Sequence, residues 1–309
     1  MKDRIEFMHG NCLWIHPRLN FNIVRHRWTK RYAAYVALII FCATTFVMQL
    51  AKATPPFGGT IFLDPDVITE SDPTTYQKLT DAGRGERNMY DRRSGWVYLN
   101  AFLFNASFSD GADVEIQVNP EFGDADTARA AALKYAPVIG RLPKCLRKDV
   151  ETVWIHMGNN PFGGGNDNLL IHTGQAEQYS ADGILEETLV HEAAHTSLDA
   201  THANASEWLA AQDADGEFIS TYARDNPYRE DVAESFLPYF AVRYRSDRIT
   251  QSLADVISKT IPNRIAYFDK QELDMGETPQ HSWNLAEDHG DGWKSFDWVG
   301  HYFETSNGW

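Results

Sequence analysis

The pattern of apolar and polar residues predicts strands in the first part of the chain beyond residue 53 and helices in the second. The strand candidates are apolar or alternating runs at 61–63, 96–108, 114–118, 151–157 and 169–171. The turn sequence at 109–113 joins two of them into a predicted hairpin. Residues 64–95 are polar with little periodicity, and the three glycines at 163–165 predict a hairpin loop.

Helical spacing of apolar residues dominates the rest of the chain. It predicts helices at 127–136, 183–198 and 247–269, the last with a break at Pro262, and a further helix that begins near Glu230. Pro238 lies inside this further helix and is expected to kink it or end it early. Strands that come first and helices that follow indicate an α+β domain with a small mixed sheet.

His191, Glu192 and His195 belong to the sequence His-Glu-Ala-Ala-His inside the predicted helix at 183–198. Residues four apart lie on one face of a helix, so both imidazoles can reach one metal ion from the same side. Glu192 then lies near the open coordination position, where a carboxylate accepts a proton from metal-bound water. The pattern predicts a catalytic Zn²⁺ site with two histidine ligands and Glu192 as general base. The alternative is an amphipathic helix with two surface histidines.

A catalytic zinc takes three protein ligands and keeps one position open, so the chain must supply a third ligand. Asp199 lies four residues beyond His195 on the same face, but its short side chain must reach back across a helical turn. Glu230 is the stronger candidate, and Glu234 follows one turn later on the same face. One of these carboxylates can bind the metal while the other orients a histidine. The alternative is a solvated acidic helix start.

Three motifs follow one another between residues 183 and 245. They are His-Glu-x-x-His, then Tyr222-x-Arg-x-Asn, then Glu230-x-x-Ala-Glu234-x-Phe on the next helix. This succession resembles the gluzincin zinc peptidases of the anthrax lethal-factor type, with a one-residue insertion around 227–228. The resemblance implies a zincin-like fold, Glu230 as the zinc ligand and Glu234 as a partner of a ligating histidine. It also implies that the Tyr222 hydroxyl stabilises the oxyanion of the tetrahedral intermediate; the alternative for Tyr222 is a core aromatic.

The resemblance implies a zinc-dependent peptidase that acts on a peptide or protein substrate. In zincins the last strand before the active helix forms the substrate edge, so residues 169–173 are expected to pair with an extended peptide. Two alternatives remain: a zincin-fold binding protein without catalysis, and a zinc hydrolase that acts on a non-peptide, cell-wall substrate. Glu192 favours catalysis, because a pure binding site needs no general base.

The first 53 residues have the pattern of an export signal. A basic flank at 25–31 precedes the uncharged run 32–50, and Ala51-Lys52-Ala53 fits the small-x-small rule for cleavage. Cleavage after Ala53 predicts a secreted or periplasmic protein. A retained run would instead be a single-span anchor with the domain outside the cytoplasm, and the membrane would then be contacted only through residues 32–50.

Domain organisation follows from these patterns. A zincin-like metallopeptidase domain is expected at 54–269, and residues 270–309 form a polar tail that holds four of the nine tryptophans. Such a tail is expected to pack on the domain surface rather than to bind sugars or partners. His156 and His172 lie in predicted strands and are expected to be packed or surface histidines rather than metal ligands.

Charge and cysteine content restrict the partners and the type of metal site. The chain has 28 basic and 43 acidic residues, and residues 1–53 hold 8 basic and 2 acidic ones, so the remainder carries a net charge of −21. Such a surface repels phosphate backbones, and no nucleic-acid partner is expected. Only Cys145 lies beyond the leader. An internal disulfide and a cysteine zinc site are therefore excluded for the exported domain.

Overall fold

The structure is a computed structural model that describes residues 54–111 and 113–276. The predicted export signal and residues 277–309 of the predicted tail lie outside these described residues. Within them, no helix has both the length and the apolar character that crossing a membrane requires.

One mixed sheet of six strands, in the order β1-β2-β3-β4-β6-β5, forms the first part of the fold. The strands are β1 (Tyr76–Asp91), β2 (Gly95–Phe108), β3 (Val114–Val118), β4 (Thr152–His156), β5 (Gly163–Gly165) and β6 (Asn168–His172). β1, β2 and β3 pair antiparallel, β4 runs parallel to both β3 and β6, and β5 runs antiparallel to β6. β5 therefore occupies one edge of the sheet.

Two α-helices lie between β3 and β4, and the other α-helices follow β6 along the chain. Those of the described residues are α1 (Ala125–Ile139), α2 (Lys144–Arg147), α3 (Thr173–Ala181), α4 (Leu185–Ser197), α5 (Asp199–His202), α6 (Ser206–Asp215), α7 (Thr221–Asp225), α8 (Asp231–Tyr244), α9 (Gln251–Thr260) and α10 (Pro262–Asp269). The predicted α+β class, a mixed sheet followed by helices, is confirmed.

Apolar residues on the two faces of the sheet pack into two separate cores. The larger core lies between one face and the helices, and it includes Phe104, Val153, Leu189 and Phe236. The smaller core, which contains Met89 and Trp154, lies on the opposite face and is built from strand residues alone. α4 thus packs between the sheet and the later helices, and this packing fixes its orientation.

The 16-residue strand β1 lies in the polar region for which sequence periodicity predicted no element. Most of its residues are exposed, so no face shows the apolar alternation of a half-buried strand. Its conformation comes from pairing with β2 from Tyr76↔Phe108 to Asp91↔Gly95. The prediction is wrong here because cross-strand pairing, which is a tertiary interaction, decides the structure.

Pro238 lies inside α8 without ending it, so the expected early end is wrong. A proline removes one helical hydrogen bond, but every residue of α8 except Arg243 is buried. Packing therefore stabilises the helix beyond what its local sequence favours. Pro137 likewise lies within α1, which continues to Ile139 instead of ending at Ala136.

The substrate edge and the glycine loop also differ from expectation. Residues 169–173 are not an open edge, because β5 pairs with β6 along residues 168–170. The three glycines form β5 itself, and the turn consists of Asn166 and Asp167, which have φ values of 51° and 58°. Two consecutive left-handed residues are typical of a tight two-residue hairpin turn. Residues 61–63, predicted as a strand, form none.

Candidate metal centre

α4 presents the histidine motif from a helix whose opposite face is fully packed. Leu189, Val190, Ala193 and Ala194 are each 0% exposed, in agreement with the apolar stripe in the sequence. α4 packs against α8, which begins at Asp231, directly after Glu230. The packing of these two helices brings residues separated by 35 positions in the sequence to one point.

His191, His195 and Glu230 come together with one ligand atom each. The Nε2 atoms of the two histidines are 3.1 Å apart, and Glu230 Oε2 lies 3.0 Å from His195 Nε2 and 3.4 Å from His191 Nε2. Ligand atoms on a tetrahedral zinc with bonds of about 2.0–2.1 Å are roughly 3.3 Å apart. Two nitrogens and one carboxylate oxygen at these distances fit three of the four positions around a tetrahedral zinc ion.

Carboxylates contact the outer nitrogen of each histidine. The Nδ1 atom of His195 donates to Asp199 Oδ2 over 2.7 Å, and His191 Nδ1 lies 3.3 Å from Glu234 Oε1. An Nδ1 proton held in this way leaves Nε2 with a free electron pair directed at the centre. Glu234, the predicted partner of a histidine, is in a position for this role. Asp199 lies on the outer side of His195 and not among the converging ligand atoms.

Glu234 is itself held in place by two further groups. Its Oε2 atom accepts hydrogen bonds from the backbone N–H of Ile61 over 3.0 Å and from the hydroxyl of Ser220. Ser220 is also the N-cap of α7, which carries Tyr222. The segment that precedes β1 therefore supports the site, although its sequence indicated only a short strand at 61–63 and a polar stretch after it.

Burial and neighbouring charges shift the pKa values of these groups in opposite directions. Burial disfavours the charged form of His195, but its contacts with Asp199 and Glu230 outweigh burial and raise its pKa well above the usual value. Burial also opposes the charge of Glu230, yet the two histidines hold its pKa well below the usual range. Burial raises the pKa of Glu234 to about 7. A cation at the centre would take the place of the protons that these histidines otherwise carry.

Glu192 and Tyr222, the two predicted catalytic residues, lie at the edge of this centre. Glu192 lies on α4 between the two histidines, and its charge adds to burial in raising the pKa of Tyr179 to about 12. The Tyr222 hydroxyl donates to Glu230 Oε1 over 3.1 Å. The Tyr222 hydroxyl is thus beside the carboxylate of a candidate ligand, which the core-aromatic alternative does not require.

The edge strand β5 lies directly against α4. The backbone N–H of Gly165 donates to Thr196 Oγ1 over 2.8 Å, and that hydroxyl donates to the carbonyl of Asn168. A Cβ atom on Gly164 would lie 2.9 Å from the Cα of Glu192 and nearer still to its carbonyl group. Glycine is therefore required for this approach, and the sheet edge adjoins the helix that carries Glu192.

Arg229 is a residue of this region that the motif analysis did not identify. Its Nη2 atom lies 3.2 Å from Glu230 Oε1, and 53% of its side chain is exposed. Its position beside Glu230 in the sequence is the only signal that points to it. The contact between Asp199 and His195 could be expected from the sequence, because residues four apart lie on the same face of a helix.

His156 and His172 lie apart from this centre at the ends of β4 and β6, and both are 0% exposed. Their rings stack at 5.5 Å, and His156 Nδ1 accepts a hydrogen bond from Asn119 over 2.9 Å. Asp91 lies 3.5 Å from His156 and 3.9 Å from His172. Both are packed histidines, one of the two expectations from the sequence.

Comparison of the chain with protein-family models, with curated proteins and with solved structures finds no match.

Proposed function

We propose that this protein is a zinc-dependent peptidase in which Glu192 activates a metal-bound water. The observation that carries the proposal is the convergence of His191 Nε2, His195 Nε2 and Glu230 Oε2 within 4.8 Å of one another, with Glu192 on the same helix. Zinc bound there would supply a Lewis acid and lower the pKa of its water to about 7. The resemblance to lethal-factor-type gluzincins supports the peptidase class.

Each residue has a separate role in this proposal. His191, His195 and Glu230 hold the ion, and Glu192 accepts the proton of the attacking water and passes it to the leaving amine. The Tyr222 hydroxyl donates a hydrogen bond to the scissile carbonyl oxygen as negative charge develops on that oxygen. The hydrogen bond from Tyr222 to Glu230 keeps this hydroxyl next to the ligand set until a substrate arrives.

The substrate is proposed to be a peptide in extended conformation, and the reaction is proposed to take place outside the cytoplasm. The position of β5 at the edge of the sheet and its contact with α4 support the first part. The export pattern of residues 1–53 supports the second.

The test compares proteolysis of casein by the zinc-loaded wild type, by Glu192→Gln and by the control Glu177→Gln. The control removes an exposed carboxylate from α3, a helix that carries none of the proposed ligands. Glu192→Gln is expected to keep zinc and to lose roughly 10²–10⁴ in rate, because an amide cannot accept the proton. Glu177→Gln is expected to match the wild type. Equal rates in all three proteins, or no hydrolysis by any of them, would contradict the proposal.

A further inference from the structure

Arg229 places a half-exposed guanidinium beside the candidate metal centre. Its Nη2 atom lies 3.2 Å from Glu230 Oε1, whereas Glu230 Oε2 faces the two histidines. The side chain of Glu230 is 4% exposed and that of Arg229 is 53% exposed. Arg229 therefore extends from the buried Glu230 out to the solvent.

Support of Glu230 alone does not account for this arrangement. Glu230 Oε1 already accepts a hydrogen bond from Tyr222 over 3.1 Å. The contact with Glu230 uses one of the five N–H donors of Arg229, and among the described residues no other hydrogen bond engages its guanidinium. Arg224, in contrast, is paired at 2.8 Å with the neighbouring Asp225.

A guanidinium with unused donors matches one kind of ligand group. Its planar fork of N–H donors binds a carboxylate bidentately. We propose that Arg229 is a specificity residue that binds a carboxylate of the peptide substrate next to the bond being cleaved. This inference rests on the proposed peptidase function and names its substrate class.

The carboxylate has two sources: an acidic side chain near the scissile bond, or the C-terminal carboxylate of the peptide. The first makes the protein an endopeptidase with a preference for acidic sequences, and the second makes it a carboxypeptidase. Both use the same contact, because Arg229 recognises the group and not its place in the chain. Charge-assisted hydrogen bonds of this kind change an affinity by roughly one to two orders of magnitude.

Hydrolysis of matched peptides tests the proposal. In one series a single Glu is scanned across the positions of an amidated peptide, and the same scan is made with Gln; in a second series the C-terminus is free or amidated. The wild type is expected to prefer Glu over Gln at one position, or the free over the amidated terminus, by about 10- to 100-fold in kcat/KM. Arg229→Gln is expected to bring this ratio close to one.

Zinc content and a charge control separate recognition from structural support. Arg229→Gln should retain its zinc and should slow the acidic or free-terminus peptides by a larger factor than the neutral peptides. Lys259→Ala removes an exposed positive charge from α9 and should leave the preference unchanged. If Arg229→Gln loses zinc and slows acidic and neutral peptides equally, Arg229 only supports Glu230 and the proposal is wrong.

A binding measurement keeps the test independent of hydrolysis. Peptide inhibitors that carry a hydroxamate at their N-terminal end are titrated into zinc-loaded Glu192→Gln, with and without Arg229→Gln. One pair of inhibitors carries Glu or Gln, and a second pair has a free or an amidated C-terminus. Tighter binding of the Glu compound or of the free-terminus compound, lost with Arg229→Gln, supports the proposal even if no peptide is cleaved. Equal binding of all compounds to both proteins overturns it. Failure of hydrolysis with selective binding would instead count against the peptidase function alone.

Discussion

Gly164→Ala tests how tightly the sheet edge is packed against the helix that carries Glu192. An added Cβ would lie 2.5 Å from the carbonyl carbon of Glu192 and 2.9 Å from its Cα. The carbonyl oxygen of Glu192 would lie nearer still, and non-bonded heavy atoms in good contact are about 3.5–4.0 Å apart, so β5 or α4 must move by roughly 1.5 Å. Both partners are backbone, so no side-chain rotation relieves the overlap.

The expected cost follows from that movement. Overpacking of this kind costs about 1–3 kcal/mol. The shift also strains the hydrogen bond from Gly165 to Thr196, which contributes about 0.5–1.5 kcal/mol. We expect the free energy of unfolding to fall by about 2–4 kcal/mol, which lowers the Tm of a domain of this size by roughly 5–15 °C.

Guanidinium unfolding and thermal scans of the metal-free protein measure this change, and Gly58→Ala is the matched control. No heavy atom lies within 4 Å of a Cβ added at Gly58. The control is expected to stay within about 0.5 kcal/mol of the wild type. Hydrogen exchange of the Gly165 amide should accelerate in Gly164→Ala alone. Equal stability of the two variants would refute the close contact between β5 and α4.

Three further predictions concern individual side chains. Tyr222→Phe should lower kcat by roughly 10²–10³ with little change in KM, because only the phenolic donor is lost; a variant with normal kcat and a lower Tm would support the core-aromatic alternative. Asp199→Ala should weaken zinc binding by about 10- to 100-fold without abolishing it, since Asp199 orients His195 but does not bind the ion, and competition with a chelator measures this. Burial lowers the pKa of His156 from 6.5 to about 4. As the pH falls between these two values, the unfolded chain gains a proton on this ring and the folded protein does not. The free energy of unfolding therefore falls by up to roughly 3 kcal/mol. In metal-free protein His156→Asn should flatten that loss relative to the wild type while it still accepts from Asn119; parallel stability curves would contradict this.

Local sequence patterns predicted the helices of the candidate site better than the strands and segments around them. α4 was predictable because its apolar stripe and its histidine spacing both follow from one helical period. The pairing of Glu230 with the histidines was inferred from motif order, and the packing of α8 on α4 brings them together. The sequence indicated Asp199 only as the less favoured candidate ligand. Helix geometry places it near His195 but does not show that it contacts Nδ1.

Long-range pairing explains most of what the sequence did not predict. β1 depends on β2, and β5 depends on an approach to α4 that only glycine permits. The N–H groups of Ile61 and Leu63 donate to Glu234 and Glu187 across more than 120 positions of the chain. Such contacts leave no periodic signal, because each joins one backbone group to one distant carboxylate.

The most direct test of the account is the zinc content per chain of the wild type, Glu192→Gln and Glu230→Ala, measured on samples that are also assayed for proteolysis. We expect one zinc in the wild type and in Glu192→Gln, loss of zinc in Glu230→Ala, and hydrolysis by the wild type alone. Stoichiometric zinc in a folded Glu230→Ala protein, or wild-type turnover by Glu192→Gln, would contradict it.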